Sequence, residues 1–139
     1  RIGAERAGKK AEDVEIVNRA MVLCTDDKAY GREIFRAQFA PYYATPVYNN
    51  FLAWAGYEEA AQTISAGWAE KDRAKTSGAM TDEMIDEIGI IGSKEEIQAR
   101  IQEDADGGVH THIIAPLGGK PEDVQRTFEA FSGENFQFS

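Results

Sequence analysis

The sequence predicts an α/β fold in which helices far outnumber strands. Two apolar runs, residues 14–24 and 109–117, have the length and composition of strands buried beneath helices. The second run stands between two helices with clear start and stop signals, and this helix–strand–helix order is the repeating unit of α/β proteins. The chain between the two runs carries helical patterns almost throughout, so we expect about two core strands under a large helical cover.

The first strand is framed by a short basic segment and a long helix. Residues 1–10 have the composition expected at the end of a helix. Thr25 and Asp26 are residue types that cap helices, and the helix that they open is predicted to run to about residue 39. Pro41 has no backbone N–H to donate, so it is expected to end this helix.

Three more helices are predicted between this helix and residue 89. Thr45 and the proline after it form a cap and a first-turn proline, and the helix that follows is expected to end at Gly56. A further helix is predicted over residues 58–71, and Thr81 has the side chain to cap a third. Residues 72–78, between these two helices, are polar and are expected to form an exposed link.

The best delimited part of the chain is the helix–strand–helix unit at its carboxyl end. Residues 89–92 are expected to form a short extended link into this unit. Ser93 and Glu96 form an S-x-x-E capping box, and the glycine pair at 107–108 supplies the backbone freedom that ends the helix. Pro121 opens the last helix. The predicted buried stripe of that helix consists of Val124, Phe128 and Phe131.

Composition and charge exclude several classes of function. The chain has 139 residues and a formal net charge of −9, which is unfavourable for binding the phosphate backbone of a nucleic acid. No apolar run is long enough to span a membrane. The single cysteine, Cys24, excludes an internal disulfide and fits a reducing compartment, so we expect a cytoplasmic protein. Cys24 itself is interpreted as a small buried hydrophobic residue.

The histidines do not predict a metal site. His110 and His112 lie two residues apart, which places them on one face of the second strand. A metal site needs at least a third ligand nearby, and the chain offers no further histidine and only one cysteine. We therefore expect no bound metal.

Several short motifs occur in an order and spacing that resemble one known family. They are Tyr-Ala-Thr-Pro-Val-Tyr-Asn-Asn-Phe-Leu at 43–52, Met-Thr-Asp-Glu at 80–83, Ile-Ile-Gly-Ser-Lys-Glu-Glu at 90–96 and Ile-Ala-Pro-Leu at 114–117. Together they resemble the C-terminal part of the bacterial luciferase-like flavin-dependent oxidoreductases. The stretch Pro-Val-Tyr-Asn-Asn-Phe is most similar to members that use the deazaflavin coenzyme F(420) rather than FMN.

This resemblance implies a fold and an activity. The family fold is a (β/α)8 TIM barrel, so residues 1–139 are expected to form a single partial domain whose two strands correspond to the seventh and eighth. Residues 40–92 would be a helical insertion. The implied parent protein is an oxidoreductase or monooxygenase that uses F(420) or FMN for hydride transfer to, or oxidation of, a small organic substrate. A partial barrel exposes sheet edges, so we expect this chain alone to be inactive and to self-associate, for example as a homodimer.

The candidate pocket residues are aromatic and amide side chains that follow the predicted proline break, namely Tyr43, Tyr48, Asn49 and Phe51. Aromatic walls with a few polar groups suit a planar organic ligand. The same spacing also fits simple packing between helices, and both interpretations stay open. Pro116 would lie at the mouth of the barrel, because barrel active sites form at the carboxyl ends of the strands.

The loop after the second strand is a second candidate. Gly118 and Gly119 precede a helix N-terminus, where backbone amides can bind phosphate. The alternative is a tight strand-to-helix turn, which is favoured by Glu122 and Asp123 because their carboxylates would repel an anion. Helix capping is likewise the favoured role for Thr25 and Asp26, and no catalytic residue is identified.

A different class of function also fits the sequence. The chain could be a stand-alone, non-catalytic helical α/β module that binds a partner or a small ligand. Its two strands would then pair with each other or with a second copy, because a two-stranded sheet is marginal without such support.

Overall fold

The computed structural model describes all residues from 1 to 139 and contains three strands and eight α-helices. The elements in chain order are α1 (Ile2–Arg6), a 3-10 turn (Ala11–Asp13), β1 (Val17–Cys24), α2 (Lys28–Tyr43), α3 (Pro46–Trp54), α4 (Glu58–Ala69), α5 (Arg73–Gly78), α6 (Asp82–Ile88), β2 (Ile90–Gly92), α7 (Lys94–Asp106), β3 (Thr111–Pro116) and α8 (Pro121–Ala130). No helix is both long enough and apolar enough to cross a membrane.

All three strands run parallel, in the order β2-β1-β3. β1 and β3 pair along six residues, from Val17 opposite Thr111 to Val22 opposite Pro116. The expectation that the two long apolar runs form adjacent parallel strands is therefore confirmed. The link predicted over residues 89–92 is extended as expected, but Ile90 to Gly92 also pair with the end of β1, so they form a third strand, β2, where about two were expected.

Helices cover both faces of this sheet. Side chains alternate across a strand, so Leu23 of β1 faces one layer while Val22 and Cys24 face the other. The first layer is built from α2, α3, α4 and α6 around Phe35. The second is built from α7 and α8, with Ile97 among its buried residues. The α/β class and the richness in helices are confirmed.

The strand order differs from the order of a barrel. In a (β/α)8 barrel each strand neighbours the next one in sequence, and the helices lie only on the outside. Here β1 lies between β2 and β3, and both faces of the sheet carry helices. The three strands therefore form an open, doubly covered sheet. The predicted insertion over residues 40–92 contains α3 to α6 and also β2.

The helix α2 is longer than its sequence predicts. Pro41 lies inside it and does not end it, and the helix continues to Tyr43. Tyr43 is buried in the core, so its packing outweighs the hydrogen bond that Pro41 cannot make. At the other end the cap is Asp27 rather than Thr25 or Asp26, because the Asp27 carboxylate accepts a hydrogen bond from Tyr30 N (2.9 Å).

Two other local predictions are wrong for reasons of burial. Residues 73–78 form α5 instead of an exposed link, since Asp72 caps the helix and Thr76 is buried against α4. Phe128 of α8 is exposed, while Thr127 and Ala130 are buried. Val124 and Phe131 of the predicted stripe are half-buried, so the stripe is confirmed in part and Phe128 is its error. The caps at Thr81 and at Ser93 with Glu96 are confirmed.

Two arginines join α2 to α6. The Arg32 guanidinium pairs with Asp82 (3.0 Å) and Asp86 (2.5 Å). Arg36 pairs with Asp82 and donates to the carbonyl of Met80 (2.9 Å). The hydrogen bond from Arg36 is the main reason why the pKa of Asp82 lies below its ordinary value. These contacts join α6 to α2 on the solvent-facing side of the first layer.

Gly31 allows α2 to lie close to the sheet, and its replacement is a test of this packing. A Cβ at position 31 would collide with Ile91 Cγ2 and would lie 3.3 Å from Leu23 Cδ2. We expect Gly31→Ala to lower the free energy of unfolding by about 1–2 kcal/mol, because overpacking outweighs the gain in helix propensity.

Urea unfolding measures this change, and Gly78→Ala is the matched control. A Cβ at Gly78, which is also helical, meets no atom within 4 Å. This variant should be neutral or more stable by up to about 0.5 kcal/mol. Equal effects of the two substitutions would contradict the close approach of α2 to the sheet.

Candidate functional site

The parallel strands β1 and β3 end at the same edge of the sheet, and the loop after β3 packs there against α2. Gln38 Nε2 donates to the carbonyl of Gly118 (3.2 Å). A Cβ at Gly119 would lie 2.8 Å from Ile34 Cδ1 and 3.1 Å from Tyr30 Oη. Glycine is required at this position because the backbone and α2 approach so closely.

The amides of this loop already have an anionic partner within the chain. Asp123 Oδ2 accepts hydrogen bonds from the N–H groups of Gly119 and Lys120 (both 3.2 Å). The same oxygen accepts the hydroxyl of Tyr30 (2.6 Å), which is the main reason why the pKa of Tyr30 is raised. An external phosphate would have to displace this carboxylate, so the geometry matches the tight strand-to-helix turn.

The residues at the end of β1 are tied to α8. The Asp26 carboxylate pairs with Arg126 Nη2 (2.6 Å), and the backbone N–H of Cys24 donates to Thr127 Oγ1 (3.0 Å). Thr25 Oγ1 accepts a hydrogen bond from Asp27 N (3.1 Å) and so fixes the turn into α2. Cys24 is buried, as expected, and burial raises the pKa of its thiol.

Exposed aromatic rings of α3 form a surface together with one ring from the end of α2. We call it the aromatic wall and define it by Tyr42, Tyr48, Phe51 and Trp54. The rings of Tyr42 and Tyr48 meet edge to face at 5.7 Å, and those of Phe51 and Trp54 lie 5.9 Å apart. Trp54 is 83% exposed, and the other three rings are about half exposed. The sequence of α3 contains no charged residue, so nothing on this helix repels an apolar ligand.

Two of the predicted pocket residues support this wall from behind instead of lining it. Tyr43 is buried in the core with its ring 6.4 Å from that of Tyr48, and burial raises its pKa. Asn49 Nδ2 donates to the carbonyls of Tyr43 (3.0 Å) and Ala61 (2.7 Å), which joins α3 to α2 and α4. The structure therefore brings Tyr43, Tyr48 and Asn49 together.

The remaining predicted residues lie elsewhere or were missed. Pro116 pairs with Val22 at the end of β3 and belongs to a different element from the aromatic wall. Trp54 did not feature among the sequence-based candidates, although it lies three residues after Phe51 on an uncharged helix and that spacing could have identified it.

The histidines make local contacts. His110 Nδ1 accepts a hydrogen bond from Ile16 N (2.9 Å). The ring of His112 stacks on Phe138 at 5.5 Å, and neither of its nitrogens has a hydrogen-bond partner. No group of three or more His, Cys, Asp or Glu side chains has the arrangement of a metal site.

Comparison with known proteins identifies the family. The family model described as "Luciferase-like monooxygenase" matches residues 1–111, which is most of the chain. The chain belongs to the luciferase-like monooxygenase family, and membership implies an oxidoreductase. Comparisons with curated proteins and with solved structures give no match.

The role of Asn49 as a support of the wall can be tested by its removal. Asn49→Ala would leave the carbonyls of Tyr43 and Ala61 without this donor, so we expect the free energy of unfolding to fall by about 1–3 kcal/mol. The matched control is Asn50→Ala, because Asn50 is exposed and its side chain makes no hydrogen bond. Thermal or urea unfolding that gives equal stability for the two variants would contradict this role.

Proposed function

We propose that this chain is the C-terminal part of a luciferase-like oxidoreductase that uses coenzyme F(420) or FMN and acts on a small organic substrate. The family match supports the class of reaction. The aromatic wall is the observation that carries the proposal further, because it presents four exposed rings, three of them on the uncharged helix α3, and such rings suit the face of a planar ring system.

The residues of this chain fit one part of such a cofactor. The aromatic wall offers contact area for a flat ring, either of the cofactor or of the substrate. In the Gly118–Gly119 loop the backbone N–H of Gly119 is not free to bind a phosphate, because it already donates a hydrogen bond to the Asp123 carboxylate. The phosphate-bearing part of the cofactor is therefore expected to bind outside this chain, on the rest of the complete protein.

These contacts separate the role of the cofactor from the role of the protein. The cofactor supplies the hydride chemistry when it is bound, and the protein supplies orientation and a dry pocket. Tyr48, Phe51 and Trp54 would orient a ring and exclude water from one side of it. Asn49 and Tyr43 would hold those rings in place through α2 and α4. No side chain of this chain is assigned a proton-transfer role.

In the complete protein the sheet would be part of a (β/α)8 barrel. Three strands, each followed by a helix, would then be the last three of the eight and not the last two. Closing a barrel requires β2 to insert between β1 and β3, and one of the two helical layers to leave the sheet. This rearrangement would break the pairing between β1 and β3 and replace it with pairing of each strand to β2.

The cofactor proposal is tested with the complete protein. FMN and F(420) are each titrated by fluorescence, and turnover is measured for Tyr48→Ala and Trp54→Ala. We expect a fall of about tenfold or more in kcat/KM with little change in the melting temperature, since both rings are exposed and contribute little to the core. The 139-residue chain alone should bind neither cofactor in the micromolar range.

Phe128→Ala is the control, because Phe128 is also about half exposed but belongs to α8. Its turnover should match that of the unsubstituted protein. Normal kinetics of Tyr48→Ala and Trp54→Ala would sink the assignment of the wall to the pocket. Absence of cofactor binding by the complete protein would favour the non-catalytic module instead.

We also propose that the isolated chain self-associates, most simply as a homodimer. β2 and β3 are unpaired at their outer edges, and Val17 and Ile113 are each 49% exposed on the sheet. Unpaired parallel edges with apolar neighbours favour pairing with another chain. Sedimentation velocity should give species larger than a monomer, and a compact monomer with a sharp, high melting transition would contradict this expectation.

A further inference from the structure

A cleft between α2, α4 and α5 lies apart from the aromatic wall. Its volume is about 340 Å³. Small residues of α2 form the floor, Trp68 of α4 forms one side, and α5 forms the other. The lining includes Ala37, Ala40, Pro41, Trp68, Arg73 and Ser77, together with Thr76 and with Arg36, whose guanidinium is already paired with Glu33 and Asp82. We call it the Trp68 groove. None of the predicted pocket residues lines it.

The Trp68 groove combines an open aromatic face with positive charge. Half of the Trp68 surface is exposed, and no other ring stacks on it. Arg73 lines the groove, and Lys71 lines an adjoining cleft that shares Trp68 and Arg73. Neither cation forms an ion pair, although the chain has 24 acidic and only 15 basic residues. Asp72 lies between the two cations in sequence, but its carboxylate accepts a hydrogen bond from Lys75 N and caps α5.

The backbone at Lys71 is the second unusual feature of this place. The helix α4 ends in a Schellman motif, in which Lys71 N donates to Trp68 O (3.1 Å) and Asp72 N donates to Gly67 O (2.8 Å). The central residue of such a motif is left-handed and is usually glycine. Here Lys71 has a φ of 59°, and it is the only non-glycine residue of the chain with positive φ. The left-handed backbone therefore falls on a lysine that lines the same adjoining cleft as Trp68, and a left-handed conformation of a non-glycine residue costs free energy.

The groove is also held rigidly. A Cβ at Gly67 would lie 2.8 Å from both the nitrogen and the hydroxyl oxygen of Thr76, so α4 and α5 are in close contact. The Thr76 hydroxyl donates to the carbonyl of Asp72 (2.7 Å), which fixes the turn between the two helices. Trp68 and Arg73 are thus presented from two helices with a fixed separation, as a preorganised site requires.

We propose that the Trp68 groove binds a small aromatic carboxylate. The ring of the ligand stacks on the indole of Trp68, and its carboxylate pairs with the Arg73 guanidinium and the Lys71 ammonium. A guanidinium matches a carboxylate with two parallel hydrogen bonds, and the volume of the cleft suits a single-ring ligand. This site is independent of the proposed cofactor chemistry, since it shares no residue with the aromatic wall.

The probe is 4-hydroxybenzoate, followed by NMR of the tryptophan indole N–H signals. The chain has two tryptophans, so Trp54 serves as an internal control, and Trp68→Phe assigns the signals. We expect 4-hydroxybenzoate to shift the Trp68 signal in a saturable way and to leave the Trp54 signal unchanged. The uncharged isostere 4-hydroxybenzamide should bind at least tenfold more weakly. Equal binding of the two probes, or equal shifts of both signals, would overturn the proposal.

Two variants test the cations. Arg73→Gln should weaken binding of 4-hydroxybenzoate about tenfold, while Arg19→Gln, which removes the same charge from an exposed residue of β1, should leave it unchanged. Lys71→Gly should weaken binding several-fold and at the same time raise the urea midpoint, because glycine adopts positive φ without strain. Unchanged affinity in both Arg73→Gln and Lys71→Gly would show that the cations have no part in binding.

Discussion

The central position of β1 is the constraint on which the rest of the structure depends. It is the only strand with two neighbours, and both helical layers pack on its side chains. Parallel neighbours cannot be joined by a tight turn, so each pairing requires a crossover through helices. In this chain α2 to α6 connect β1 to β2 over one face of the sheet, and α7 connects β2 to β3 over the other face. Gly31 makes the first crossover possible, because α2 could not otherwise approach Ile91 and Leu23 so closely.

The positions of the exposed aromatic rings depend on the buried contacts that hold α3 to the core. α3 is held by Leu52 in the core and by the hydrogen bonds of Asn49 to α2 and α4, so its remaining apolar residues face solvent. A helix of this composition in a single-domain protein would normally bury more of its surface. The arrangement makes sense if the rings meet a ligand or the rest of a larger protein, and both alternatives agree with membership of the luciferase-like monooxygenase family.

Most of what the sequence predicted correctly depends on neighbouring residues, and the exception is the parallel pairing of the two long apolar runs. The capping box at Ser93 and the cap at Thr81 are local, and so they follow from residue types a few positions apart. β2 was missed because three residues carry no periodic pattern and are fixed only by pairing with β1, which lies about seventy positions away. The continuation of α2 past Pro41 and the order of the strands likewise depend on tertiary packing. For the site, the aromatic composition was visible, but the carbonyl partners that make Asn49 a support became visible only in the structure.

α4 connects the two surfaces that we propose to bind ligands. Near the start of α4 the Ala61 carbonyl accepts a hydrogen bond from the Asn49 side chain. Near its end Gly67 lies against Thr76 of α5. Between these points Ile64 is fully buried, so the helix is packed on the core as well as on α3 and α5. The aromatic wall and the Trp68 groove are therefore both in contact with elements that pack on α4. Both depart from what stability alone favours, the wall by exposing apolar rings and the groove by a left-handed lysine. Departures of this kind concentrate where a protein binds its ligands, because there the geometry of the contact surface outweighs its local cost.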